Sequence, residues 1–203
     1  SNPYDANAAR TVKGRLERTE LGQICTSIRE VIDATEAYVA VVLDLKRIKD
    51  LHLSVTSESV CDALLNVPKL KIKSTDVVVE SESTVKVLTG RCTRDDNTLF
   101  ELHRLRLTLK SVIVCGIRDV SRAIITLKED SEKTPEERKE GLPCHRLLVE
   151  GLGLQAVMGV SGVCGERTRS THIMEVEKTL GIEAARKTIV DEIEYTMSHH
   201  GMD

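Results

Sequence analysis

The clearest apolar period in the chain runs from Met174 to Met197, MEVEKTLGIEAARKTIVDEIEYTM. Val176 and Leu180 end one helical stripe, Gly181 is free to take a left-handed turn, and Ile182, Ala185, Ile189 and Ile193 continue at spacings of three and four as a second. Two short helices sharing a hinge cannot bury such stripes on each other alone, so the pattern predicts that they pack on the 117–160 segment or leave the stripe open to self-association. With the sequence ending shortly after Ile193, the second helix reads as cut off, and a start at Ser1 in place of Met reads as a processed or excised piece.

Upstream, Ala9, Val12 and Leu16 share a helical face, while Val12, Gly14 and Leu16 fit strand alternation, so both readings stand for residues 8–18. Thr19 is placed to cap a helix carrying Leu21, Ile24, Cys25, Ile28, Val31 and Ile32. The Val-rich run from Glu36 to Leu45 predicts a buried strand, and Leu51–Val55 alternates like another. Thr56 or Ser57 caps a helix with Val60, Leu64 and Leu65 that stops before Pro68. Short strands are predicted at Leu70–Ile72, Val77–Val79 and Val85–Leu88, then a polar loop over Gly90–Asn97 and a helix through Leu99, Leu102, Leu105 and Leu109. Ala123–Leu127 and His145–Val149 read as strands flanking the apolar-free, exposed loop Glu129–Gly141, and Gly153–Val160 as a short helix. The fold class is therefore α+β, with mixed short strands and helices.

Composition adjusts this picture little. A 40% hydrophobic, 30% charged chain of 203 residues is long enough for one large or two small domains, and with four aromatic side chains (Phe100, Tyr4, Tyr38, Tyr195) its core must be Val, Leu and Ile. The same scarcity removes base-stacking platforms for single-stranded nucleic acid. No apolar run reaches the ~20 residues a membrane span needs. Six cysteines spread evenly, without C-x-x-C or a Cys/His quartet, give no zinc site. With no signal peptide, they read as free thiols in a reducing compartment.

A net charge of −3, from 29 basic and 32 acidic residues, argues against nucleic-acid binding through an overall field and leaves local clusters. His103, Arg104, Arg106 and Lys110 form one on the Leu99–Leu109 helix, either as a solvated face or as a contact for an acidic partner. Glycines 159, 162 and 165 fit no phosphate-loop spacing. Glu192/Glu194 and Glu175/Glu177 point to different helix faces and read as solvated charges, Ser161 lacks the nucleophile-elbow setting, and Cys144 beside His145 says nothing about a nucleophile meeting a base. His199 and His200 read as a solvated tail. No catalytic or metal-ligating set emerges. Arg167 and Arg169, in GERTRSTH ahead of a helix and beside Thr168, Ser170 and Thr171, are the exception: two guanidiniums near a helix N-terminus suit phosphate or carboxylate, or equally salt bridges within their own fold.

Longer motifs go further. VEKTLGIEAARKTIVDEIEYTMSHHGM (Val176–Met202) resembles the segment of the largest subunit of multisubunit RNA polymerases in which two helices meet at an L-G-I-E-A-A-R core, and its flanks are similar to the RNA polymerase III form. LLVEGLGLQAVMGVSGVCGERTRSTH resembles that subunit's L-L-V-E-G-x-x-L-x-A-V-M segment and following R-T-x-S-N, from which Ser170, Thr171 and His172 depart. GIRDVSRAII (Gly116–Ile125) is similar to G-I-P-x-[IV]-S-R-A-[VI]-I, with Arg118 at the usual proline, and VKGRLERTELGQI (Val12–Ile24) to the run that follows the family's trigger loop.

The resemblance, collinear over residues 8–203, implies a jaw and adjoining cleft region on the downstream DNA side. It divides the chain into a helical entry segment (1–35), a compact α+β jaw subdomain (36–128), the charged loop (129–141) and a helical cleft segment with the glycine-hinged pair (142–203). The implied parent is a nuclear DNA-directed nucleotidyltransferase using Mg2+. Its magnesium loop, bridge helix and trigger loop precede the matched region, so the chain alone is expected to be inactive and to need no cofactor. Expected partners are the other polymerase subunits and downstream duplex DNA, with no membrane and no small-molecule substrate. Arg167 and Arg169 are the candidates for nucleic-acid or inter-subunit contact.

Overall fold

A computed structural model describes residues 5–33, 36–68, 70, 72–91, 96–128 and 144–201. The chain forms two compact units, Glu17–Arg118 and a second made of the described parts of Ser1–Leu16 and Asp119–Asp203, each considered by itself below. Helices and antiparallel strands mix in both, as an α+β chain requires.

The second unit begins with α1 (Ala6–Leu16), which settles the helix-or-strand ambiguity: Val12, Gly14 and Leu16 are buried. The Glu17–Arg118 unit opens with β1 (Thr19–Glu20), a single helical turn α2 (Leu21–Ile24) and β2 (Cys25–Ile32). Here the predicted helix is corrected. Thr19 pairs with Cys115 in a strand and caps nothing, and from Cys25 on the chain extends, because β2 finds seven cross-strand partners on the following strand, β3 (Glu36–Leu43). The β-branched Thr26, Ile28, Val31 and Ile32 suit that pleat better than a helix.

β3 alternates cleanly, Ala37, Val39, Val41 and Leu43 buried, with Tyr38, Ala40 and Val42 between them on the other face. Asp44 caps α3 (Leu45–Asp50) by accepting from the amides of Lys46 and Arg47. Leu51–Val55, expected as a strand, instead closes that helix: Leu51, His52 and Leu53 donate to Arg47, Lys49 and Ile48 carbonyls. α4 (Ser57–Leu65) starts at a capping box in which the Thr56 hydroxyl accepts from the Ser59 amide and the Ser59 hydroxyl from the Thr56 amide. Leu70 and Ile72 lie outside any strand. β4 (Val77–Ser81) and β5 (Thr84–Arg91) then complete a four-stranded antiparallel sheet of order β2-β3-β5-β4. Gly90 and Arg91, expected in a loop, belong to β5, and Asp96 and Asn97 to α5 (Asp96–Lys110). Residues 92–95 of that loop lie outside the described residues. β6 (Ile113–Cys115), which the pattern did not suggest, returns to pair with β1.

α4 and α5 pack on the sheet face bearing Val39, Val41, Val85 and Val87, inserting Val60, Leu64, Leu102 and Leu109. Each fully buried Val or Leu here contributes about 1.5–3 kcal/mol. On the opposite face the Lys86 ammonium stands 4.9 Å from the Tyr38 ring centroid and 2.9 Å from the Glu80 carboxylate.

The second unit continues with an antiparallel ribbon of β7 (Val120–Leu127) and β8 (His145–Gly151) that packs on α1. The charged loop expected at 129–141 lies outside the described residues. α6 (Leu154–Met158), a 3-10 turn at Gly165–Arg167, α7 (Ile173–Leu180) and α8 (Ile182–His199) follow. Val176 of α7, Ala185 of α8 and Leu154 of α6 form the small core of this part, so the helix pair does pack on the 117–160 segment. Its stripe is nevertheless only half used. Ile173, Ile189, Ile193 and Met197 line an open groove of about 320 Å³.

Candidate anion-contact loop

The segment from Val160 to His172 must carry two guanidiniums ahead of α7, and its own hydrogen bonds hold it in place. Arg15 of α1 donates from one Nη1 to both the carbonyl (3.1 Å) and the hydroxyl (2.7 Å) of Ser161. The Arg167 and Thr168 amides close turns onto the carbonyls of Cys164 and Gly165, each at 3.2 Å, and the Thr168 hydroxyl donates to the Cys164 carbonyl at 2.8 Å. Ser170 Oγ accepts from the His172 amide (3.1 Å), and His172 Nδ1 accepts in turn from the Glu175 amide (3.2 Å), which makes His172 the cap of α7. Thr168 and Ser170, expected beside the arginines as anion ligands, are thus engaged in building the loop.

Both guanidiniums are exposed. Arg169 reaches Asp191 of α8 across 3.8 Å, with the arginine side chain 83% and the aspartate 42% accessible. A pair that wet and that long is worth a few tenths of a kcal/mol, and an anion can displace the aspartate at little cost. Arg167 ends the 3-10 turn as an exposed residue, its amide bonded to the Cys164 carbonyl. Of the two sequence readings, pairing within the fold accounts for Arg169 only loosely.

Sequence reasoning missed Glu175. Read as a solvated charge, its carboxylate instead accepts from the Gly153 amide at 2.8 Å and the Leu154 amide at 3.3 Å, closing the N-terminus of α6. Gly153 holds a left-handed conformation (φ 105°, ψ 46°) and has no side chain with which to cap its own helix. That missing cap was the available signal: GLGLQ starts a helix with nothing to satisfy it, so a carboxylate must come from elsewhere. His172 carried no such signal, since Ser, Thr, Asp and Asn are the usual caps.

The basic cluster and two of the cysteines weighed from sequence belong to the Glu17–Arg118 unit. The basic cluster of α5 meets Glu30 of β2, whose Oε1 lies 3.4 Å from His103 Nδ1 and 3.3 Å from Arg106 Nη1. Burial pushes the Cys25 thiol up, and it does the same to Cys61 with Asp62 and Glu58 adding to it, so both are poorer nucleophiles than a free thiol. Among the described residues no group of three or more His, Cys, Asp or Glu could hold a metal ion. Nor, among them, is any helix long and apolar enough to cross a membrane.

The family described as RNA polymerase Rpb1, domain 5, has a sequence model that matches residues 8–203. The chain is 45% identical over 198 residues to DNA-directed RNA polymerase III subunit RPC1 of Homo sapiens, and equally so to that of Bos taurus, covering 98% of this chain and 14% of each relative. To the subunit of the same name in Saccharomyces cerevisiae it is 35% identical over 214 residues, covering 99% of this chain and 14% of that one.

Proposed function

Since the chain belongs to the RNA polymerase Rpb1 domain 5 family, we propose that it works as a non-catalytic part of the largest subunit of a DNA-directed RNA polymerase, most like RNA polymerase III. The observation that carries this reading is the match of nearly the whole chain to RPC1 subunits from mammals to yeast. This chain spans about 14% of the human relative's length, so nucleotidyl transfer, Mg2+ and the nuclear setting belong to the proposed parent enzyme. The chain's own share is architectural. It forms the jaw side of the downstream DNA channel and docks other subunits while small RNAs are synthesised on a DNA template.

Within that role the Arg167–Arg169 loop makes the backbone contact. Its supports are a loop held from both ends by Arg15 and His172, two exposed arginines, and the weak hold of Asp191 on Arg169. Phosphate neutralisation carries a salt signature, because each neutralised phosphate releases counterions. Arg167→Ala together with Arg169→Ala in the assembled polymerase is expected to flatten the dependence of elongation-complex stability on log salt by about one to two. An unchanged slope removes the phosphate role and leaves the loop as an inter-subunit contact. Purification of an affinity-tagged full-length subunit decides the wider reading: recovery with subunits of another polymerase class reassigns it, and recovery with no polymerase makes it an independent scaffold.

A further inference from the structure

α5 buries Leu102 and Leu109 and turns a second surface outward on which apolar and basic side chains are interleaved. At 100° per residue Leu99, Lys110, His103, Leu107, Phe100 and Arg104 share one arc of the helix with Asp96, which stands in its first turn, and from Leu99 onward the arc contains no acidic residue. Phe100, the chain's one phenylalanine, is 66% exposed, and Leu99 and Leu107 are each 54% exposed. Three large apolar side chains on one helical face form a patch, and one carrying an aromatic and an arginine has the make-up of interface hot spots. Beside Lys110 the surface continues into an open groove of about 450 Å³ between α5 and β2, lined by Arg106, Lys110 and the Cys25–Ile28 stretch. Glu30 reaches His103 and Arg106 from the β2 side. Among the described residues neither Arg104 nor Lys110 forms an ion pair.

We propose that this face of α5 docks a partner polypeptide whose contact segment carries acidic and apolar side chains, the apolar ones covering Phe100 and Leu107 and the carboxylates meeting Arg104 and Lys110. Charge complementarity selects the acid, and the apolar content selects a polypeptide over nucleic acid, since a phosphodiester backbone would neutralise the cations and leave Phe100, Leu99 and Leu107 wet. The inference rests on the polymerase reading only in taking the partner from the assembled enzyme, and it gives that partner a chemistry.

Hydroxyl-radical footprinting tests it without altering the protein. Phe100 and Leu107 oxidation is measured in the DNA-free polymerase, in the DNA-bound polymerase and in the unfolded chain. About tenfold protection relative to the unfolded chain, already present without DNA, is expected for side chains taken into an interface core. A photo-crosslinking residue in place of Leu99 should then join a peptide of another subunit that bears carboxylates, with the yield falling about tenfold on Arg104→Glu plus Lys110→Glu. Protection that needs DNA, no protection, or a crosslink confined to the same subunit overturns the inference while the polymerase reading stands. Absence of this chain's peptides from the purified polymerase overturns both.

Discussion

Glu175 does two jobs at adjacent helix ends. Its amide is held by the His172 ring while its carboxylate closes the start of α6, so a single side chain locks α6 to α7 next to the Arg167–Arg169 loop. Removing it strands two partly buried amides, and a charged cap of this kind is worth about 1–2 kcal/mol. Glu175→Ala is therefore expected to lower the stability of the second unit by that amount in urea denaturation. Glu175→Gln, which keeps one acceptor oxygen and loses the charge, should lose less. Equal stability of the alanine variant and the parent would show that the two amides find water instead. Gly181 is a second position where one residue sets an element boundary. The sequence suggested a left-handed turn, but its φ of 94° with ψ of 175° lies in a region that only glycine enters freely. The hinge was legible from the glycine, and its geometry was not.

At the scale of elements, legibility followed the range of the interactions that decide each one. α4 was readable because its start is local: a Thr56–Ser59 capping box and a proline beyond its end lie within a dozen residues. Thr56→Ala is expected to cost about 1 kcal/mol, measured as a shift of the urea midpoint at constant slope. β3 was readable from its unbroken Val-rich run, which packing on one face sorts into alternate buried and half-buried positions. β2 was misread because Leu21, Ile24, Cys25, Ile28, Val31 and Ile32 satisfy a helical spacing, while the ladder to β3 that overrides it involves residues the local pattern does not contain. β6 escaped for the same reason: three residues become a strand only because Thr19 and Glu20 lie opposite. The candidate loop was legible as two arginines ahead of a helix. The cap that makes it rigid joins Glu175 to Gly153, twenty-two residues away, and no spacing rule reaches that far.

For the whole molecule, the Glu17–Arg118 unit has the anatomy of an insertion that folds by itself. Its large core cluster, from Leu21 to Val112, lies wholly within its own residues. Its chain ends meet: Thr19 pairs with Cys115, and Gly116 at φ 90° lies so close to Glu17 that an added Cβ would fall 2.0 Å from the Glu17 carbonyl oxygen. That crowding explains why the glycine opening the Gly116–Ile125 motif is needed, and it means that no long loop has to be ordered to bring the ends together. A domain of this size with one continuous core unfolds in a single step with about 5 kcal/mol or more of stability. Residues 17–118 expressed alone are therefore expected to give one urea transition with the same midpoint by the fluorescence of Tyr38, the one tyrosine in that stretch, and by far-UV circular dichroism. Non-coincident transitions, or a collapsed state that binds hydrophobic dyes, would mean that the sheet and α5 need the second unit to set their packing, and the unit would then be a region of one domain and not an insertion.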